Sequence, residues 1–175
     1  METIEGIPEE REIVPRRVLS WGIPLTPRKP GQGEITADEL RPAYEAAFHI
    51  GGNGWLDKLL ALFLLIRTPF YFADELYQPV DPDLLQMILD ADTGDKEDYE
   101  TEVYDCDDFA FRLMGVFHMD RTAAAWPIFV TWVNTSQGGH AVLSYYQDGM
   151  VYIIEPQTDE RFPVPEDWTL TLLCG

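Results

Sequence analysis

The stretch Gly138-Gly139-His140-Ala141-Val142-Leu143-Ser144-Tyr145-Tyr146-Gln147-Asp148-Gly149-Met150-Val151-Tyr152-Ile153-Ile154-Glu155-Pro156 decides the fold. Two runs of β-branched, aliphatic and aromatic residues, Ala141 to Tyr146 and Met150 to Ile154, flank the dipeptide Asp148-Gly149. Asp-Gly suits the positive-φ positions of a type I′ turn, so the runs are expected to pair as a tight β-hairpin. The turn sets the register: Gln147 faces Met150 and Tyr145 faces Tyr152. Continued to the open end, the register places Ala141 near Pro156 and brings His140 and Glu155 within a residue of each other.

Outward from the hairpin, Ile128 to Val133 reads as a preceding strand and Thr169 to Leu173 as a final one. Upstream the texture is helical. Thr36 with Glu39 forms a capping-box pattern that opens a helix to about Phe48, with Pro42 marking a kink or a later start. Gly51-Gly52-Asn53-Gly54 precedes a second helix over about Trp55 to Ile66, closed by Pro69. Asp81-Pro82 starts a third, to about Leu89, and a fourth runs from about Asp105 to Phe117 with Phe109, Leu113, Val116 and Phe117 turned inward. A helical first half followed by an antiparallel sheet is an α+β pattern.

At 175 residues, 46% hydrophobic and 13% aromatic, the chain can bury a core as one domain without disulfide staples. Two cysteines, Cys106 and Cys174, fall short of a secreted disulfide framework and favour a reduced compartment. The formal charge of −19 repels phosphate backbones and anionic lipid, so neither nucleic acid nor membrane is an expected partner; divalent cations are favoured. The longest apolar run, Leu59 to Ile66, is far below the roughly 20 residues of a membrane span. Glu2 and Glu5 stand where a signal peptide carries basic residues, which makes a cytoplasmic location the expectation. Residues 1 to 34 hold Pro8, Pro15, Pro24, Pro27 and Pro30 beside Arg11, Arg16, Arg17, Arg28 and Lys29. They are expected to form an extended arm over the acidic body or over a neighbouring copy in a homodimer, a loose tail being the alternative. A single domain then covers residues 35 to 175.

Chemistry concentrates at Tyr104-Asp105-Cys106-Asp107-Asp108-Phe109. A nucleophilic thiol must be partly ionised, and the free amides and dipole of a helix N-terminus favour the thiolate. Asp105 reads as N-cap with Asp108 as its reciprocal partner, which puts Cys106 in the first turn. The three flanking carboxylates oppose ionisation unless a cation neutralises them. A small buried hydrophobe is the plain alternative for Cys106 and the reading adopted for Cys174. His49 and His118 close helices, where positive charge suits the dipole, whereas His140 follows two glycines at the head of an apolar strand. A satisfied core histidine is its alternative. Cys106, His140 and Glu155 occur in the order of a nucleophilic cysteine hydrolase, with Asp159 a less regular acid than Glu155. The loop Asp90 to Asp98 begins like a calcium loop but has Gly94 at the third ligand position and Thr101 at the twelfth. It reads as a solvated acidic loop, with Asp92 and Asp95 as spare metal donors.

The words Cys-Asp-Asp-Phe-Ala, Gly-Gly-His-Ala-Val and Ile-Glu-Pro-Gln-Thr, over about residues 100 to 160, resemble the papain-like catalytic domain of the fungal Marasmius oreades agglutinin and its bacterial relatives. The same order of thiol, imidazole and acid marks transglutaminase-like folds. The resemblance implies a papain-like or transglutaminase-like fold and a cysteine peptidase acting on protein or peptide. Cys106 would be the nucleophile, His140 the general base and then acid, and Glu155 the orienter. It further implies activation by calcium, with manganese as a substitute, held by Asp107, Asp108 and Gln157, and more weakly by Glu102. Such an ion would answer the charge conflict around Cys106. The fungal sugar-binding trefoil has no counterpart here, so carbohydrate recognition is not carried over. No glutamine shortly before Cys106 matches the papain-type oxyanion donor, which leaves the Cys106 amide and an unidentified second group. Three outcomes fit these residues: a peptidase or amidase, an acyl transferase or deamidase, and a non-catalytic metal-stabilised interaction domain.

Overall fold

Three helices and a six-stranded sheet carry the chain in a computed structural model that describes residues 33–48, 50 and 70–175. The expected helix over 55–66, His49, and all but the last two residues of the N-terminal arm lie outside the described residues. The elements in order are β1 (Ile35–Thr36), α1 (Ala37–Ala47), β2 (Phe70–Tyr71), β3 (Leu76–Tyr77), α2 (Pro82–Ala91) and α3 (Cys106–Met119). There follow β4 (Ile128–Thr135), β5 (Gly138–Gln147), β6 (Met150–Ile154), β7 (Arg161–Pro163) and β8 (Thr169–Cys174).

Each helix starts where side chains satisfy its free amides. At α1 the Glu39 amide donates to Thr36 Oγ1 at 3.2 Å and the Thr36 amide to Glu39 Oε2 at 2.8 Å, a complete capping box. Pro42 lies inside α1, and the helix continues through it. Asp81 accepts the amides of Asp83 and Leu84 at 3.0 and 3.1 Å, with Pro82 at the first helical position of α2. Helix α2 runs two residues past the expected Leu89, and α3 two past Phe117.

The Asp148-Gly149 turn has positive φ at both residues, 52° and 86°, and pairs β5 with β6 antiparallel. Tyr145 lies opposite Tyr152 and Gln147 opposite Met150, the expected register. The sheet order is β2-β8-β4-β5-β6-β7, parallel only between β2 and β8, while β1 and β3 form a separate two-stranded sheet. Period-two alternation sends successive side chains to opposite faces. On one face Ile128, Val130, Ala141, Leu143 and Ile154 pack with Leu85, Leu89, Ala110, Leu113 and Phe117 of α2 and α3. On the other Phe129, Val133, Val142, Ile153 and Leu173 pack with Leu40, Tyr44 and Phe48 at α1. Each fully buried valine, leucine, isoleucine or phenylalanine among them contributes about 1.5–3 kcal/mol. The hydroxyls that the sheet buries are paired: Thr131 and Ser144 lie 2.6 Å apart and Ser144 donates to Tyr44 at 3.1 Å. Among the described residues no helix is long and apolar enough to cross a membrane.

Candidate active site

The N-terminus of α3 meets the sheet at the head of β5. Cys106 is the first residue of α3 and packs partly buried against the core on that face. The Asp108 carboxylate accepts the Asp105 amide at 3.1 Å, and Asp105 accepts the Glu102 amide at 3.3 Å, so the acids fix the helix start. Burial foremost, then the charges of Asp105 and Asp107, push the Cys106 thiol above its ordinary pKa. Hydrogen bonds from the Ala141 amide and from its own amide pull the other way.

One residue before Ala141, the head of β5 carries His140, whose Nε2 lies 2.7 Å from Glu155 Oε2. Their side chains are 23% and 18% exposed, a setting in which a charge-assisted hydrogen bond is stronger than in water. Glu155 is itself held: its Oε1 accepts the Gln157 amide at 3.3 Å, and its backbone amide and carbonyl bond Glu160 and Asp159 at 2.9 and 2.8 Å. Because Glu155 occupies Nε2, the ring nitrogen left over is Nδ1. Trp168 packs edge-on to the imidazole, ring centroids 6.1 Å apart, and is braced by Phe162 at 6.0 Å. A groove of about 410 Å³ opens beside the imidazole, lined by Thr135, Ser136, Gln137, Gly139, His140 and Trp168. Among the described residues no hydrogen bond joins Cys106 to His140 directly; the two are linked through adjacent positions of β5.

The acids around Cys106 sort into separate roles. Potential ligand atoms of Asp105, Cys106 and Asp107 lie within 4.8 Å of one another. Hydrogen bonding between the two carboxylates lowers the pKa of Asp105 and raises that of Asp107. These groups could hold a cation, but two carboxylates supply fewer hard oxygens than the six to eight calcium takes. Of the acids among the sequence candidates, Asp107 joins the cluster. Asp108 is occupied with the helix cap and Glu102 stands at a left-handed position, φ 64°, while Gln157 meets Glu155 through its backbone amide and not its side chain. Asp105, read from sequence as a cap alone, is the carboxylate that faces Asp107.

The loop after α2 is exposed at Thr93, Lys96, Glu97 and Asp98, as its composition suggests, but Asp92 and Gly94 are buried within it. Asp92 is 6% exposed, and the Arg112 guanidinium of α3 donates to both its oxygens at 2.9 Å. Gly94 donates its amide to Asp92 at 3.0 Å, and a side chain at Gly94 would overlap Arg112. Asp159 belongs with this group rather than with His140: burial, then the charges of Asp92 and Asp95, raise its pKa to about 6. Nothing in the spacing of the sequence marks Arg112, which is twenty residues from Asp92.

No known family matches the sequence, and no curated protein is similar to it at a significant level. Solved structures do share its fold. One is a PSL1a–E64 complex, with a TM-score of 0.63 and 18% identity over 81% of this chain and 51% of that one. Another is a Polyporus squamosus lectin bound to the human-type influenza-binding epitope Neu5Aca2-6Galb1-4GlcNAc, with a TM-score of 0.59 and 18% identity over 81% and 49%. The chain thus spans about half the length of the solved chains it resembles, and at this identity the likeness is one of fold.

Proposed function

We propose that this chain is a papain-like cysteine hydrolase, a peptidase or amidase that acts through a thioester on Cys106. The observation that carries the proposal is the 2.7 Å bond between His140 Nε2 and Glu155 Oε2, one strand position from the residue whose amide meets the Cys106 sulfur. An acid on Nε2 keeps that nitrogen protonated, leaves Nδ1 free to accept, and stabilises the imidazolium once it forms. His140 Nδ1 takes the proton from Cys106 as the sulfur attacks the substrate carbonyl, then delivers it to the departing amine. Water, deprotonated by the same nitrogen, releases the acid from the thioester and restores the thiol. A divalent cation held by Asp105 and Asp107 would supply the positive charge that the thiolate lacks. The fold shared with a chain solved in complex with E64 supports the reading and makes E64 a natural probe.

The test is digestion of an unfolded protein with and without calcium, scored by new N-termini, alongside E64 labelling of Cys106 by mass. Cleavage that Cys106→Ala abolishes supports the hydrolase; no cleavage with calcium present, together with an unlabelled Cys106, sinks it. Ammonia release without new termini would redirect the same residues to acyl transfer or deamidation. The raised thiol pKa favours a second role, a non-catalytic metal-stabilised interaction domain. A thiol of ordinary reactivity in a protein whose melting point still rises with calcium would establish it.

A further inference from the structure

Hydrolysis on Cys106 divides a substrate into an acyl half that stays on sulfur and an amine that leaves, and each half meets its own walls. The groove beside His140 belongs to the second. We infer that it receives the residue on the leaving side of the scissile bond and selects an uncharged side chain ending in a carboxamide, glutamine or asparagine. The inference rests on the hydrolase reading of Cys106 and His140.

With Glu155 on Nε2, the catalytic proton passes through Nδ1, so the departing amine lies against the imidazole while the acyl group stays with Cys106 at the start of α3. The groove has His140 among its walls and no residue of α3, which puts it on the amine's side. The two-residue turn between β4 and β5 brings Ser136 and Gln137 to it, and the loop before β8 brings Trp168, whose ring stands 6.1 Å from the imidazole. Thr135 is already committed: its hydroxyl donates to the Gly138 carbonyl at 3.0 Å and accepts the Gln137 amide at 3.0 Å, which fixes the turn. Among the described residues the Ser136 hydroxyl, the Gln137 carboxamide and the Trp168 indole N–H bond no other protein group, so the groove offers a guest both donors and acceptors. A Cβ built at Gly139 meets no atom within 4 Å, so the glycine leaves room for a guest side chain. The walls carry no carboxylate in a chain with 31 acidic residues; Glu166 and Asp167 precede Trp168 but do not line the groove. A basic guest therefore finds no counter-ion there, and an acidic one is opposed by the charge of −19. A carboxamide matches what is present, because it donates and accepts at once and lays a flat face on the indole.

The experiment digests carboxymethylated serum albumin and ovalbumin in the presence of calcium and reads each cleavage site from peptide masses, so that cyclised N-terminal glutamine is counted. Wild type should place glutamine and asparagine directly after the cut roughly five-fold or more above their share in the substrates, the discrimination that one net hydrogen bond supplies. Gln137→Ala should flatten that preference. Gln137→Glu should instead raise lysine and arginine at the same position by roughly two- to five-fold, as an ion pair at the surface does. Both substitutions fall in an exposed turn, so melting points are expected to match wild type. Cuts that follow the composition of the substrates, a wild-type preference for basic residues, a carboxamide preference that survives Gln137→Ala, or basic residues that stay level with Gln137→Glu would each overturn the assignment and leave the hydrolase standing. If wild type makes no cut and E64 leaves Cys106 unlabelled, the hydrolase reading itself fails, and the inference with it.

Discussion

Cys106 sits between opposed influences, amides that favour its thiolate and acids and burial that oppose it, and in the described arrangement the opposition wins. Its alkylation should therefore be slow at pH 7 without metal and climb as the pH passes the ordinary thiol range. Asp107→Asn removes one opposing charge; iodoacetamide labelling at pH 7 is expected to speed up roughly three-fold or more. An unchanged rate would mean that burial alone sets the reactivity. Asp159 offers a cleaner titration. It titrates at about 6 in the fold against 3.8 as an ordinary aspartate, so between those values the folded state holds the extra proton. Stability from this group is thus greatest in acid and is lost as the pH rises through about 6. Asp159→Asn should raise the unfolding free energy at pH 7 by on the order of 1 kcal/mol after allowance for solvent screening, read as a higher melting point, and this electrostatic part should vanish at pH 4. The position also has φ 58°, which asparagine tolerates, and any backbone gain would appear equally at both pH values. Of these residues, the pairing of His140 with Glu155 was legible, because a two-residue turn allows register to be counted. The partnership of Asp105 with Asp107 was hidden behind the capping role of Asp105, and that of Asp92 with Arg112 depends on tertiary packing that no local spacing encodes.

Elements announced themselves where a local rule was sufficient. The Thr36 box, Asp81-Pro82 and Asp105 each mark a helix start, and Asp148-Gly149 marks the hairpin. Strand β5 begins at Gly138 rather than Ala141 because backbone pairing of Gly139 with Asn134 recruits glycines that carry no strand propensity. The short β7, ending at Pro163, owes its existence to pairing with β6 and has no alternating pattern of its own. At this scale Gly94 is the sharpest test of how α3 is tied to the loop behind it. A Cβ there would strike the Arg112 guanidinium and lie 2.6 Å from Asp92 Oδ2. Gly94→Ala should cost about 2 kcal/mol in chemical denaturation by leaving the buried carboxylate short of its partner. A loss below a few tenths would show that the arginine simply swings aside.

Over the whole molecule the charge of −19 makes any cation mildly stabilising, so a calcium effect has to be separated from ionic strength. Millimolar calcium is expected to raise the melting point beyond sodium chloride of equal ionic strength, and Asp105→Asn with Asp107→Asn to erase the difference. Equal shifts from the two salts would leave only diffuse screening. Strand β8 comes last in sequence yet lies between β4 and β2, and its pairing with β2 joins Phe70 to Leu173. The run β4 to β7 is a meander whose pairings are all between chain neighbours, so its loops close cheaply, whereas the β8 slot carries a long closure. In kinetic terms this topology predicts an early half and a late strand. His140 and Glu155 both belong to the predicted early half, so imidazole and acid are expected to meet before the sheet is complete. Trp168, at the threshold of β8, is expected to arrive with the last strand, which makes the groove it walls the final part of the site to take shape.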